Sequence, residues 1–113
     1  MKVEVLTTTH FEKAAKPLLK KYPSLRKELA QLGVALQANP HLGTSLGNNI
    51  YKVRIGIKSK GKGKSGGARI ITHLDLTIEE EITYVFLLTI YDKSVTEDIT
   101  DQELERLIKA VNQ

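Results

Sequence analysis

The chain has 113 residues, 41% of them hydrophobic, and a formal net charge of +4 with a pI near 9.3. This is enough for one domain over residues 1–113 with one small core, and too little for two. With no cysteine, disulfides and thiolate metal sites are excluded and a reducing cytoplasm is the compatible compartment; no stretch reads as a membrane span or a signal peptide, so neither membrane nor metal is expected among the partners.

In chain order, residues 2–6 read as a short strand with Val3 and Val5 on one face. Thr9 and Glu12 match a capping box that opens a helix whose stripe is Phe11, Ala14, Ala15 and Leu18. Pro17 is a potential kink, and Pro23 separates this helix from a second, capped by Ser24 and striped by Leu25, Leu29, Leu32 and Leu36. Asn39 and Pro40 stop it, and residues 41–49 read as a loop.

Three strands follow. Residues 51–58 alternate, with Val53, Ile55 and Ile57 on one face and Lys52, Arg54 and Lys58 on the other. A Gly/Lys connection leads to a strand over residues 68–76, then a turn near Ile78, Glu79 and Glu80. Residues 82–91 form a nearly continuous apolar run, expected of a central strand buried on both faces. Thr100 and Glu103 cap a last helix striped by Leu104, Leu107, Ile108 and Val111. The order β-α-α-β-β-β-α predicts a small α+β domain: an antiparallel sheet, helices packed on one face, and the other face open.

Charge is distributed unevenly along this frame. Residues 51–74 hold seven cations (Lys52, Arg54, Lys58, Lys60, Lys62, Lys64 and Arg69), five glycines and no acid, whereas ten of the thirteen acids fall between residues 75 and 105. Such asymmetry faces a polyanion, with nucleic-acid phosphate as the default. Strand alternation puts Arg69 and His73 on one face, and hairpin pairing brings Arg54, Lys58 and Arg69 together, with Lys93 at the next strand end and Lys60, Lys62 and Lys64 at the rim. A bidentate phosphate clamp is the functional reading of Arg69; an internal ion pair with Asp75 or Asp92 is the structural one. The three lysines of the connection serve equally as solubilising residues. His10, His41 and His73 lack metal-ligand spacing. Gly61, Gly63 and Gly66 formally fit a dinucleotide fingerprint but join two strands and open no helix. Aromatics are few, which argues against a broad stacking platform; Tyr51, Tyr84 and Tyr91 are the possible exceptions.

The segment GKGKSGGARI from Gly61 to Ile70, followed by LLTIYDKS from Leu87 to Ser94 and an acidic capped helix, resembles the RelE/ParE superfamily of type II toxin–antitoxin toxins, most nearly its HigB-type branch, over essentially the whole chain. The resemblance implies a ribosome-dependent endoribonuclease, an mRNA interferase that cleaves in the A site by metal-independent attack of a 2′-hydroxyl and so inhibits translation, with no cofactor. Its partners would be a cognate antitoxin, the ribosome and mRNA. Residue by residue, the resemblance implies that Arg69, Lys93, Arg54 and Lys58 are catalytic and that Lys52, Lys60, Lys62, Lys64, His73 and Tyr91 contact RNA. One departure concerns the base: where several relatives carry a tyrosine after the last strand, this chain has Ile99, and Glu97 and Asp98 become the acidic candidates for proton transfer. The alternatives are a non-catalytic RNA- or ribosome-binding module and a gyrase-directed toxin of the ParE type.

Overall fold

The computed structural model describes residues 2–61, 66–77, 79–96 and 98–111; Lys62, Lys64, Ile78 and Glu97, each singled out above, lie outside them. The elements run β1 (Lys2–Thr7), α1 (Thr9–Lys21), α2 (Leu25–Ala38), β2 (Thr44–Gly47), β3 (Ile50–Ile55), a 3-10 turn (Lys58–Lys60), β4 (Ala68–Thr77), β5 (Ile82–Asp92) and α3 (Asp101–Val111). The strands form one sheet in the order β1-β5-β4-β3-β2.

The expected α+β architecture is present, and its differences from expectation have local causes. The meander β3–β4–β5 is antiparallel, but β1 lies parallel to β5. Two helices separate β1 from the meander, and that much chain allows β1 to reach the far edge in either sense. The segment expected as a loop contains β2, a short edge strand on β3. Its turn is made by Asn48 and Asn49, both at positive φ (51° and 61°), the geometry of a tight primed hairpin turn. The cap of α1 is Thr8, not Thr9. Thr8 Oγ1 accepts from the Phe11 N–H at 3.1 Å and donates to the Leu87 carbonyl at 2.9 Å, which stitches the helix start to β5. Pro17 sits within α1, exposed, and the helix continues through it.

The main core lies between the sheet and the α1–α2 layer. Phe11, Ala15, Leu25, Leu32 and Leu36 meet Val53, Ile55, Ile70, Val85, Leu87 and Ile90, all buried. The opposite face is not left open as expected. α3 lies on it, and Leu107 and Leu104 pack with Ile50, Ile71 and Leu88 into a second, smaller core. The reason is in β5. Thr72 pairs with Leu87 while Ile71 pairs with Thr89, so Leu88 is an inserted bulge residue. The bulge switches the alternation, and Leu88 and Tyr91 end on the same face. Both surfaces of this strand are therefore apolar, and each needs a cover.

Candidate RNA-binding face

β3, β4 and β5 place three of the singled-out residues in one row. Arg54 is directly opposite Arg69, and Arg69 is directly opposite Tyr91. All three point away from the main core, because their neighbours Val53, Ile55, Ala68, Ile70 and Ile90 point into it. The next row is Lys52, Ile71 and Thr89. Arg69 is 4% exposed; its Nη1 donates to the Ala68 carbonyl at 3.2 Å. Arg54 is exposed and Lys52 half-buried. Low exposure reduces screening of the Arg69 charge, so an anion there would feel it more strongly than at a solvated site.

Lys93 follows β5 directly. Its backbone N–H donates to the Gly67 carbonyl at 3.1 Å, which ties the end of β5 to the start of β4. A side chain on Gly67 would collide with the Ile55 carbonyl, so glycine is what lets β4 begin this close to β3.

Other predicted residues stand apart from the row. β3 ends at Ile55, and Lys58 begins the 3-10 turn instead of continuing the strand. Its N–H donates to Glu28 Oε2 at 2.7 Å, and its side chain lines a shallow groove with Glu28, Gln31 and Leu32 of α2. His73 is on the same face as Arg69 but four residues along the strand, about 13 Å away, between Ile50 and Phe86. It is half-buried, and burial lowers its pKa against the opposing charge of Asp75. One phosphate cannot touch both residues.

Lys60 does not extend to the rim. Its ammonium is drawn inward, 2.5 Å from Asp92 Oδ1, 2.9 Å from the Gly66 carbonyl and 2.8 Å from Ser94 Oγ. Asp92 also accepts from the Tyr22 hydroxyl at 2.7 Å and from the Ser94 N–H at 3.0 Å. Burial raises the pKa of this carboxylate, but the hydrogen bonds from Lys60, Ser94 and Tyr22 outweigh it and hold the group well below the usual carboxylate range. Asp92 is thus the partner of Lys60, on the opposite face from Arg69. The sequence reading paired Asp92 only with Arg69 and missed Tyr22, whose position just past a helix end gave no signal.

Tyr91 donates its hydroxyl to Asp98 Oδ1 at 3.1 Å. Burial, then the hydrogen bond and the charge of Asp98, push its pKa up to about 12, against the pull of Arg69. Asp98 is held below the ordinary carboxylate value, first by the Ile99 N–H, with Tyr91 and Lys52 adding and burial opposing. Ile99 packs into the second core, so its place is filled by an apolar plug, and the nearest phenol to Arg69 on this face is that of Tyr91. Among the described residues no group of histidines, cysteines and carboxylates could hold a metal ion, and no helix is long and apolar enough to cross a membrane.

The model of the RelE toxin of the RelE/RelB toxin–antitoxin system matches residues 3–113. This chain belongs to the RelE toxin family. Its fold is similar to that of the E. coli toxin RelE, solved as an arginine double mutant in the free state, with a TM-score of 0.54, 18% identity, and coverage of 86% of this chain and 90% of that one.

Proposed function

We propose that this RelE-family toxin is a ribosome-dependent endoribonuclease that cuts mRNA in the A site. The observation that carries the reading is the row Arg54–Arg69–Tyr91, with a buried guanidinium at its centre, flanked by Lys52 and by Lys93 at the end of β5. In the reaction the ribose 2′-oxygen attacks the adjacent phosphorus, and the bond from phosphorus to the 5′-oxygen breaks. The products are a 2′,3′-cyclic phosphate and a 5′-hydroxyl. The 2′-hydroxyl proton goes to a base and the leaving oxygen takes one up. Negative charge gathers on the non-bridging oxygens of the transition state, and Arg69 offers two parallel N–H donors to them. Arg54 and Lys93 add positive charge on either side, and Lys52 holds a neighbouring phosphate. Tyr91, protonated at neutral pH, acts as a donor and not as the base. A cognate antitoxin is the expected protein partner, and masking this basic face is the simplest way for it to neutralise the toxin.

The reading is tested by primer extension on a defined mRNA with purified protein, with and without programmed ribosomes. Cleavage at A-site codons only when ribosomes are present is the expected result. Cleavage of naked RNA would make the protein a freestanding ribonuclease. No cleavage in either case, from folded protein, would overturn the enzyme reading in favour of a binding module, or of a gyrase-directed toxin if DNA supercoiling is inhibited instead.

A further inference from the structure

Beyond the end of β5, the carboxylate of Asp98 comes to lie against the cation-bearing face. Asp98 Oδ1 accepts from the Tyr91 hydroxyl at 3.1 Å and from the Ile99 N–H at 2.9 Å, and Lys52 Nζ is 3.5 Å away. Lys52 belongs to β3 and Tyr91 to β5, with β4 between them. The carboxylate therefore joins donors from the two strands that flank β4, on the face that carries the Arg54–Arg69 pair. An anionic oxygen at this point already has a hydroxyl donor and an ammonium converging on it from different strands.

We propose that Lys52 and Tyr91 form a second phosphate subsite for RNA, next to the Arg54–Arg69 pair, and that the carboxylate of Asp98 is an internal stand-in that competes with the RNA phosphate for it. The inference rests on the RNA-directed reading of this face. A carboxylate and a phosphodiester each carry one negative charge and accept from the same donors. The Asp98 side chain is 63% exposed and the Lys52 side chain 23%. Rotation about the Asp98 side chain is thus enough to release the donors, and an ion pair this exposed is weakly held. The spacing of the cations fits a nucleic acid strand. Lys52 and Arg54 are two residues apart on one strand face, about 7 Å, a step comparable to that between successive phosphates of single-stranded RNA.

The test is the affinity of the full chain for a short single-stranded RNA with 2′-O-methyl riboses, which cannot undergo 2′-attack, followed by fluorescence anisotropy across a salt series without ribosomes. Asp98→Asn should tighten binding by about 3-fold or more at low salt and steepen its salt dependence, as expected when one more phosphate is contacted. Lys52→Met and Tyr91→Phe, each combined with Asp98→Asn, should abolish that gain. Asp101→Asn removes another exposed acid, one not bonded to these donors, and should gain less. Unchanged RNA affinity in Asp98→Asn, an equal gain in Asp101→Asn, or a gain seen only for polyglutamate would overturn the subsite. The measurement is independent of cleavage. Failure to cut mRNA on ribosomes would leave a positive binding result standing, and active wild-type protein with no gain in Asp98→Asn would defeat the subsite alone.

Discussion

Arg54 and Arg69 face each other directly across β3 and β4, two like charges in a cross-strand pair. Such a pair is destabilising where opposite charges or apolar groups would stabilise. One of the two, Arg69, is nearly withdrawn from solvent. An arrangement that concentrates positive charge on one point suits the binding of an anion there.

Replacing Arg69 by Ala is expected to abolish growth arrest and ribosome-dependent cleavage while the protein stays folded. Arg69 is 4% exposed and its guanidinium is hydrogen-bonded, so the substitution should also cost roughly 1–3 kcal/mol of stability, and activity is compared where both proteins are folded. Lysine at the same position should restore little activity, because it cannot supply the bidentate fork. A soluble R69A protein of normal toxicity would remove Arg69 from the site.

Lys60 should behave as a structural residue. Lys60→Met leaves the Asp92 carboxylate buried without its cation, and loss of one partner of a buried pair costs roughly 3–5 kcal/mol. Urea denaturation would measure this. The double variant Lys60→Met, Asp92→Leu should recover a large part of the loss. Wild-type stability in K60M would show that the ammonium is not needed there.

The Asp92 carboxylate also sets an acid limit. Its pKa is depressed in the folded protein relative to the ordinary value of 3.8, so the unfolded chain binds the proton first. The stabilisation is complete well above pH 3.8 and declines as pH falls below it. Stability measured against pH should therefore drop on the acid side, and Asp92→Asn, though less stable at neutral pH, should show a shallower decline. Parallel acid limbs for the two proteins would contradict this.

Tyr91 offers a kinetic prediction. With its pKa near 12, the phenol stays protonated between pH 7 and pH 10 and contributes no ionisation to the activity profile in that range. Tyr91→Phe should slow cleavage by about 10-fold, the loss of one hydrogen bond to a charged phosphate, without altering the shape of the profile. An alkaline limb that disappears in Y91F would instead assign Tyr91 as the titrating group.

Much of the architecture was legible from apolar spacing. Val53, Ile55 and Ile57 alternate, and Leu25, Leu32 and Leu36 repeat at helical spacing; those residues form the core between the sheet and the α1–α2 layer. The alternation of β5 could not be followed to its end, because a continuous apolar run hides an inserted residue. Only the register shows that Leu88 changes the phase and brings Tyr91 beside Arg69. The second core was hidden for the same reason: the stripe of α3 was plain, but the face it covers depends on that bulge. Charge was the least legible property. Lys58 and Lys60 look alike in a run of cations, yet one lines an exposed groove and the other is enclosed by Asp92, Tyr22 and Ser94. The distinction comes from side chains at 30 residues' separation or more, beyond the reach of local pattern.

The parallel pairing of β1 with β5 has a consequence for synthesis. Among the described residues β1, the first strand, has β5, the last, as its one sheet neighbour, and α1 packs chiefly on that same late strand. β1 and α1 therefore lack their main packing partner until β5 is made, and completion of the fold waits for that strand. The basic row needs the same strand, since Tyr91 is part of it. The row of Arg54, Arg69 and Tyr91 is thus absent from the nascent chain until β5 has been translated.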